Sequence, residues 1–329
     1  MNGAPVRDEL KVFSGRANPG LVAGICQHLG IEPGLATTGD FPDGEIMLKI
    51  DEDVRGRDIF IVQSTSPPVN DHLMELLVFI DCVRRSSARR VTAVVPYFGY
   101  ARQDRKDESR VPISAKMVAN LITSAGANRV LTIDLHAAQI QGFFDIPLDH
   151  LYAAPVFRAF YKSLKLENVV VVASDVGRMK SARGYAERLG CEFAAVDKRR
   201  LSAEQTEAVN VIGEVEGKTA LLVDDMISTA GSITEAARIL QEFGASRIIA
   251  GATHAVFCGP AVERMRNSPI EFTVVTDTIP LCDEVKQSNL DVRVLSVSKL
   301  LARAIKRIHE NRSVSELFDL EEDQGLLTF

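Results

Sequence analysis

The sequence predicts an α/β protein built of two similar domains, each a mostly parallel sheet flanked by helices, and three observations predict it. Short β-branched runs alternate with helical patterns along the whole chain. Several of those runs stop abruptly at Asp or His. The alternation starts afresh after residue 150. Such alternation is the pattern of parallel strands joined by crossover helices.

Taken in order, "DIFIVQS" reads as a buried strand and "DHLMELLVFIDCVRRSS" as the helix that follows it. "RVTAVVPYFGYARQD" is a strand running into a polar segment, "PISAKMVANLITSAGA" a second helix, and "RVLTIDLHAAQ" a further strand. The second half repeats the pattern, not the letters, with "FRAFYKSL", "NVVVVASDVG", "SARGYAERLG", "TALLVDDMIS", "SITEAARILQEFGA" and "RIIAGATHAVF". Between the halves "HLYAAPVF" contains no low-complexity linker. The tail "KLLARAIKRIHENRSVSELF" reads as an amphipathic helix followed by a polar turn. The expected division is a first domain over 1–152, a second over 153–306, and a tail over 307–329 that packs back on the first.

A chain of 329 residues with 46% apolar and 25% charged residues has the length for two globular cores. The net charge of −6 argues against a nucleic-acid partner. Local basic groups, Arg102, Arg105 and Lys106 and again Lys198, Arg199 and Arg200, leave small anionic ligands open. Five cysteines, an odd number with no CxxC pair, fit a reducing cytoplasm. The N-terminal letters carry no signal-peptide core, and no stretch approaches the roughly 18 uninterrupted apolar residues of a membrane span.

Asp134, His136, Asp175, Asp224, Asp225 and His254 all stand where strands end. In open α/β sheets ligands bind outside the carboxyl ends of the strands, so the chemistry is expected there. The stretch "LLVDDMISTAGS" at 221–232 is the most informative of these. Amides of residues 228–232 can converge on a phosphate at the N-terminus of a helix starting near Ile233, while Asp224 and Asp225 accept from sugar hydroxyls. A helix cap beside surface acids would use similar letters. A Walker A loop is absent. The polar stretch "VDKRRLSAEQTE" reads as a mobile loop able to close over a transferring group, or as a solvated basic loop. His136 alone is either a metal ligand or a structural histidine, and "FPDGE" alone is a turn.

Hydrophobic strand, Asp-Asp, two variable residues and a T-x-G-S/T turn resemble the ribose 5-phosphate loop of the type I phosphoribosyltransferase fold. "FPDGE", "YARQDRKDESRVPISAK", "DLHAAQIQGFFDIPLDHLYA", "DKRR" and "SVSELF", in this order over nearly the whole chain, resemble the ribose-phosphate diphosphokinases, the synthases of phosphoribosyl diphosphate. The resemblance implies two domains of that fold and transfer of the diphosphoryl group of Mg-ATP to the anomeric hydroxyl of ribose 5-phosphate, leaving AMP. It assigns the transferring group to Lys198 and Arg200, and ATP to Phe41, Asp43, Glu45, Arg102, Gln103 and His136. Ribose 5-phosphate falls to Asp224, Asp225, Ser228, Thr229, Ala230, Gly231 and Ser232. Magnesium is the implied cofactor, near His136 and Asp175. The resemblance further implies a homo-oligomer, usually a hexamer, in which the segment around Phe41 reaches a neighbouring subunit. It also implies phosphate and ADP as effectors at Ser109, Arg110, Ser313, Ser315 and Phe318.

Some positions depart from the family pattern. Ser174 stands for a proline, Arg178 for a glycine, Ser181 for an arginine and Ser228 for an aspartate. At the effector site Arg312 replaces an acid, and Asp53 stands where serine is frequent. These departures keep a second expectation open, a catalytically weak paralogue acting as a regulatory subunit. A plain phosphoribosyltransferase would not need the ATP-side motifs.

Overall fold

The computed structural model describes residues 9–175, 177, 179–199 and 208–317, leaving out the side chains of 181, 188, 198, 199, 208 and 209. Its packing divides the chain into two units, Met1–Tyr152 with Val297–Asp323 and Ala153–Ser296 with Gln324–Phe329. The second dividing line lies at 296/297, whereas the sequence pattern puts it at 306.

The first unit is built on β1 (Leu10–Ser14), β4 (Asp58–Val62), β5 (Arg90–Val95), β6 (Arg129–Ile133) and β7 (Leu148–Leu151), paired in that order and all parallel. All five residues of β4 are buried, which is why "DIFIV" shows no alternation: a parallel strand covered on both faces needs none. Helices α1 (Pro19–Leu29), α2 (Val69–Arg85) and α3 (Ser114–Ala125) connect the strands. Asn18 Oδ1 accepts from the Leu21 amide at 3.1 Å, Pro19 opens the first turn of α1, and Gly30 closes it at φ 69°.

Strands β2 (Ala36–Asp40) and β3 (Ile46–Ile50) form a separate antiparallel hairpin with residues 41–45 at its tip. The C-terminal helix α9 (Ser298–His309) packs on α1. A charged anchor holds it to the sheet: buried Asp58 accepts from Arg90 Nε at 2.8 Å and lies 2.8 Å from His309 Nδ1, while Arg90 Nη2 also donates to Ile308 O at 2.9 Å. A carboxylate with that many donors can stay buried.

The second unit has seven strands in the order β10 (Ala208–Ile212), β9 (Glu192–Arg199), β8 (Val169–Ala173), β11 (Thr219–Ile227), β12 (Arg247–Ala255), β13 (Phe272–Thr276) and β14 (Val292–Leu295). Every neighbouring pair is parallel except β10 with β9. Helices α4 (Ala154–Ser163), α5 (Met179–Leu189), α6 (Gly231–Glu242), α7 (Ala261–Arg266) and α8 (Asp283–Lys286) complete it. Residues of β8, β11 and β12 form the core with one face of α6. Among the described residues no helix is long and apolar enough to cross a membrane.

Candidate active site

Strand β11, nine residues long, runs from the core to the candidate site. Its first five residues are buried, and Asp224, Asp225 and Met226 emerge half-covered before Ile227 returns to the core. Its parallel neighbour β8 stops at Ala173, opposite Val223. Asp224 therefore lies just past the end of β8, where Ser174 Oγ donates to its Oδ2 at 2.8 Å and the Asp225 amide donates to its Oδ1 at 2.8 Å. The two acids sit inside the strand, and the loop expected to take a phosphate begins after it, at Ser228.

That loop turns through Ala230, a non-glycine residue at φ 59°, directly into α6. The helix starts at Gly231, two residues earlier than the letters suggest. Its first amides have no intrahelical carbonyl to serve, and the helix dipole adds partial positive charge. Ser228 is half-buried, Thr229 and Ser232 are exposed, and Ala230 is buried. Carbonyls 227 to 230 are all engaged by protein donors: Ile227 O by the Phe257 amide at 2.9 Å, Ser228 O by the Cys258 amide at 3.0 Å, Thr229 O by Arg264 Nη1 at 3.0 Å, and Ala230 O by Thr234 Oγ1 at 2.7 Å. A loop with its carbonyls occupied and its amides at a helix start is suited to an anion.

Lys198 lies in β9 and pairs with Val209 of β10, so this part of the expected loop is strand. Polar letters in an antiparallel pair at the sheet edge carry little strand signal. The Lys198 side chain, Arg200, Arg178 and the Ser181 side chain lie outside the described residues. Asp175 is exposed just beyond β8. His254, also noted at a strand end, is buried with Nδ1 2.9 Å from Thr278 Oγ1.

In the first unit Asp134, at φ 40°, ends β6, and the Leu135 amide donates to His150 Nε2 at 2.9 Å. That bond fixes the turn carrying the half-buried His136. His136 and Asp175 thus belong to different units. Among the described residues no three His, Cys, Asp or Glu side chains cluster as a metal cage. The carboxylates of Asp175, Asp224 and Asp225 are the hard oxygen donors that magnesium takes, a few at a time, alongside phosphate oxygens and water.

Residues 10–126 match the model of the N-terminal domain of ribose phosphate pyrophosphokinase, and residues 199–319 match that of the phosphoribosyl synthetase-associated domain. A ribose-phosphate pyrophosphokinase of Rhodopirellula baltica is 60% identical over 313 residues, covering 94% of this chain and 98% of its own. That of Chromobacterium violaceum is 52% identical, covering 95% and 96%. The chain belongs to the ribose-phosphate pyrophosphokinase family. The crystal structure of phosphoribosylpyrophosphate synthetase from Mycobacterium smegmatis superposes with a TM-score of 0.86 at 41% identity, over 92% of this chain and 99% of that one. Both units accordingly have the type I phosphoribosyltransferase fold.

Among the positions expected for ATP in a ribose-phosphate pyrophosphokinase, Phe41, Asp43 and Glu45 cap the β2–β3 hairpin. The Phe41 amide donates to Glu45 O at 2.7 Å, Asp43 Oδ1 accepts from the Glu45 amide at 3.2 Å, and Gly44 takes φ 90°. The Phe41 ring is 47% exposed, free to stack. Arg102 is exposed; Gln103, held by Ser114 Oγ on its Oε1, follows it in the same loop. Ser109 and Arg110 are exposed, Arg110 at φ 67°. Ser313 O accepts from Arg307 Nη1 at 2.9 Å, and Ser313 Oγ accepts from the Ser315 amide at 3.3 Å. Phe318 lies outside the described residues.

Sequence reasoning missed Cys258, Arg264 and His150, which touch the site's backbone rather than its ligands.

Proposed function

We infer that the chain transfers the diphosphoryl group of ATP to the anomeric hydroxyl of ribose 5-phosphate, giving 5-phosphoribosyl 1-diphosphate and AMP for nucleotide biosynthesis. One observation carries the placement of the sugar phosphate: the carbonyl-saturated loop 228–231, entered from two strand-borne carboxylates and leading into a helix N-terminus. The phosphate takes the amides of Ser228, Thr229, Ala230, Gly231 and Ser232. The hydroxyls of the ring donate to Asp224 and Asp225, and Ser174 and the Asp225 amide hold the Asp224 carboxylate in one orientation.

The reaction is mainly positioning and neutralisation of charge, since the attacking sugar oxygen and the leaving AMP oxygen must lie in line through phosphorus. Lys198 and Arg200 supply cations to the transferring group. Phe41 stacks on adenine, Asp43 and Glu45 accept from its amino group, and Arg102, Gln103 and His136 bind the nucleotide. His136 and Asp175 would help to hold magnesium, which would supply charge neutralisation for the ATP phosphates. A hexamer, a contribution of the Phe41 hairpin to a neighbouring subunit, and phosphate and ADP binding at Ser109, Arg110, Ser313, Ser315 and Phe318 belong to the same proposal. So does a cytoplasmic location, supported by the five free thiols.

The experiment is AMP release by the purified protein. It is expected only when ATP and ribose 5-phosphate are both present; AMP release that ignores ribose 5-phosphate would overturn the reading.

A further inference from the structure

We propose that Arg264 and Cys258 are positioning residues for the loop that takes the phosphate of ribose 5-phosphate, an inference that rests on the assignment of that loop. They act by holding its peptide planes so that the amides, not the carbonyls, are left for the anion.

In a planar trans peptide the C=O and the following N–H point in opposite directions. Fixing one carbonyl therefore fixes the next amide. The Cys258 amide on Ser228 O sets the Thr229 amide, and Arg264 Nη1 on Thr229 O sets the Ala230 amide. Thr234, through its own amide at 3.1 Å and Oγ1 at 2.7 Å, holds Ala230 O and sets the Gly231 amide.

The Thr229–Ala230 peptide is the one with most reason to turn over. Ala230 stands at φ 59° and ψ 6°, a left-handed conformation that a Cβ-bearing residue rarely adopts. Rotating the preceding peptide by about 180° would return its φ to the ordinary negative range and aim a carbonyl at the phosphate. Arg264, reaching back from α7, bonds the oxygen that would have to swing. Gly231 makes room for it, because a Cβ there would sit 3.1 Å from Arg264 Nη1.

Cys258 holds the preceding residue twice. Its amide bonds Ser228 O at 3.0 Å, and its Sγ lies 3.3 Å from Ser228 Oγ. Ser228 is the position at which this chain carries a hydroxyl where the family resemblance expects a carboxylate. The hydroxyl, smaller and uncharged, is kept by the thiol, and the β12–α7 connection becomes a brace for the whole loop.

The test is calorimetric titration of ribose 5-phosphate into wild type, Arg264→Ala, Arg264→Lys, Cys258→Ala and Cys258→Ser, at low and at high salt, with steady-state kinetics beside it. Arg264→Ala should raise the dissociation constant about tenfold, the size of one lost hydrogen bond to a charged donor, and Arg264→Lys should bring it back to within about threefold of wild type. Cys258→Ala should weaken binding a few-fold and Cys258→Ser should restore it. KM for ribose 5-phosphate should follow, while KM for ATP and the thermal midpoint stay at wild-type values. The wild-type to Arg264→Ala ratio should not change with salt, because the guanidinium acts through a carbonyl. Unchanged affinity in Arg264→Ala, or a ratio that shrinks as salt screens a direct guanidinium–phosphate contact, overturns the proposal. Wild type that binds ATP but no ribose 5-phosphate would instead overturn the loop assignment beneath it.

Discussion

Ser174 Oγ donates to Asp224 Oδ2 across 2.8 Å, from the residue after β8 to the acid that β11 carries past the end of β8. Ser174 is buried. The family pattern expects proline here, which offers no side-chain donor, so the departure places a hydroxyl on one oxygen of the carboxylate assigned to ribose. The Asp225 amide already occupies the other. Together the two donors fix the plane of the carboxylate.

Removing that donor should loosen the sugar site without dismantling it. Ser174→Ala is expected to weaken ribose 5-phosphate binding about three- to tenfold, about 1 kcal/mol for one hydrogen bond, with KM for ATP unchanged. Asp224→Ala removes the acceptor itself and should cost about ten- to a hundredfold. Calorimetry on both variants decides it: equal losses would mean that Ser174 matters as much as the ligand group, and no loss in Asp224→Ala would remove the acid from the site.

Lys198→Ala tests the other half of the chemistry. A cation needed mainly as the diphosphoryl group transfers should affect turnover and not ground-state binding. Turnover is expected to fall about 100- to 1000-fold, the usual size for one oriented donor, while ribose 5-phosphate binds as in wild type. Stopped-time assays of AMP release beside a binding titration measure both; wild-type turnover would reduce "DKRR" to a solvated strand end.

The parallel halves and the strand–turn–helix geometry of 221–232 are legible because their signals are local. Buried runs such as "DIFIV" and "VVVVA" leave few alternatives, and "DDMISTAGS" places acids and small residues within one turn of each other. The start of α6 differs by two residues because Ala230 in the left-handed region closes the loop sooner than an alanine would suggest. Asp197 to Arg199 read as loop because an edge pairing with β10 needs no apolar letters. Arg264, 35 residues from the carbonyl it serves, and His150, 15 from the amide it accepts, carry no sequence signal at all. Backbone-holding contacts of this kind depend on folding that brings distant segments together.

Tyr161 offers a test of the core beneath the site. Its hydroxyl is buried against Gly251 of β12, where a Cβ would lie 2.3 Å from Oη, and it has no hydrogen-bond partner among the described residues. Burial pushes the phenol well above its usual range. Removing an unsatisfied polar atom should be neutral or favourable, so Tyr161→Phe is expected to keep or raise stability by up to about 1 kcal/mol, while Gly251→Ala destabilises by forcing the ring aside. The sign of the linkage is definite: the unfolded phenol ionises near 10 and the folded one higher, so its contribution is present below about pH 10 and lost above it. Urea midpoints at neutral and alkaline pH measure this. A clear loss of stability in Tyr161→Phe at neutral pH would reveal a partner for the hydroxyl.

Arg16 ties the β2–β3 hairpin, to which we assign adenine, to α2, and its substitution should separate stability from nucleotide binding. Its amide donates to Glu75 Oε1 at 2.7 Å and its Nε to Glu75 Oε2 at 2.5 Å, and Glu75 is fully buried in α2. The far end of the same guanidinium grips Asp40, with Nη1 and Nη2 each 2.9 Å from a carboxylate oxygen. Asp40 closes β2 next to Phe41, so the fork sets where the hairpin tip points. Arg16→Ala leaves Glu75 buried without its cation and should cost about 3 kcal/mol, whereas Asp40→Asn removes an exposed partner and should leave stability almost unchanged. Both should raise KM for ATP and leave ribose 5-phosphate affinity alone, since only the hairpin is freed. The hydrogen bond from Arg16 also holds the Asp40 carboxyl below its usual range. A depressed carboxylate contributes above its unfolded value near 3.9 and loses that contribution as pH falls through the folded one. The small advantage of wild type over Asp40→Asn should therefore hold at neutral pH and fade only below about pH 4. Urea unfolding at pH 7 and pH 3.5, with ATP kinetics at pH 7, reads all three. An Arg16→Ala protein as stable as wild type would show that Glu75 finds another donor, and an unchanged KM for ATP in both variants would separate the hairpin from the nucleotide site.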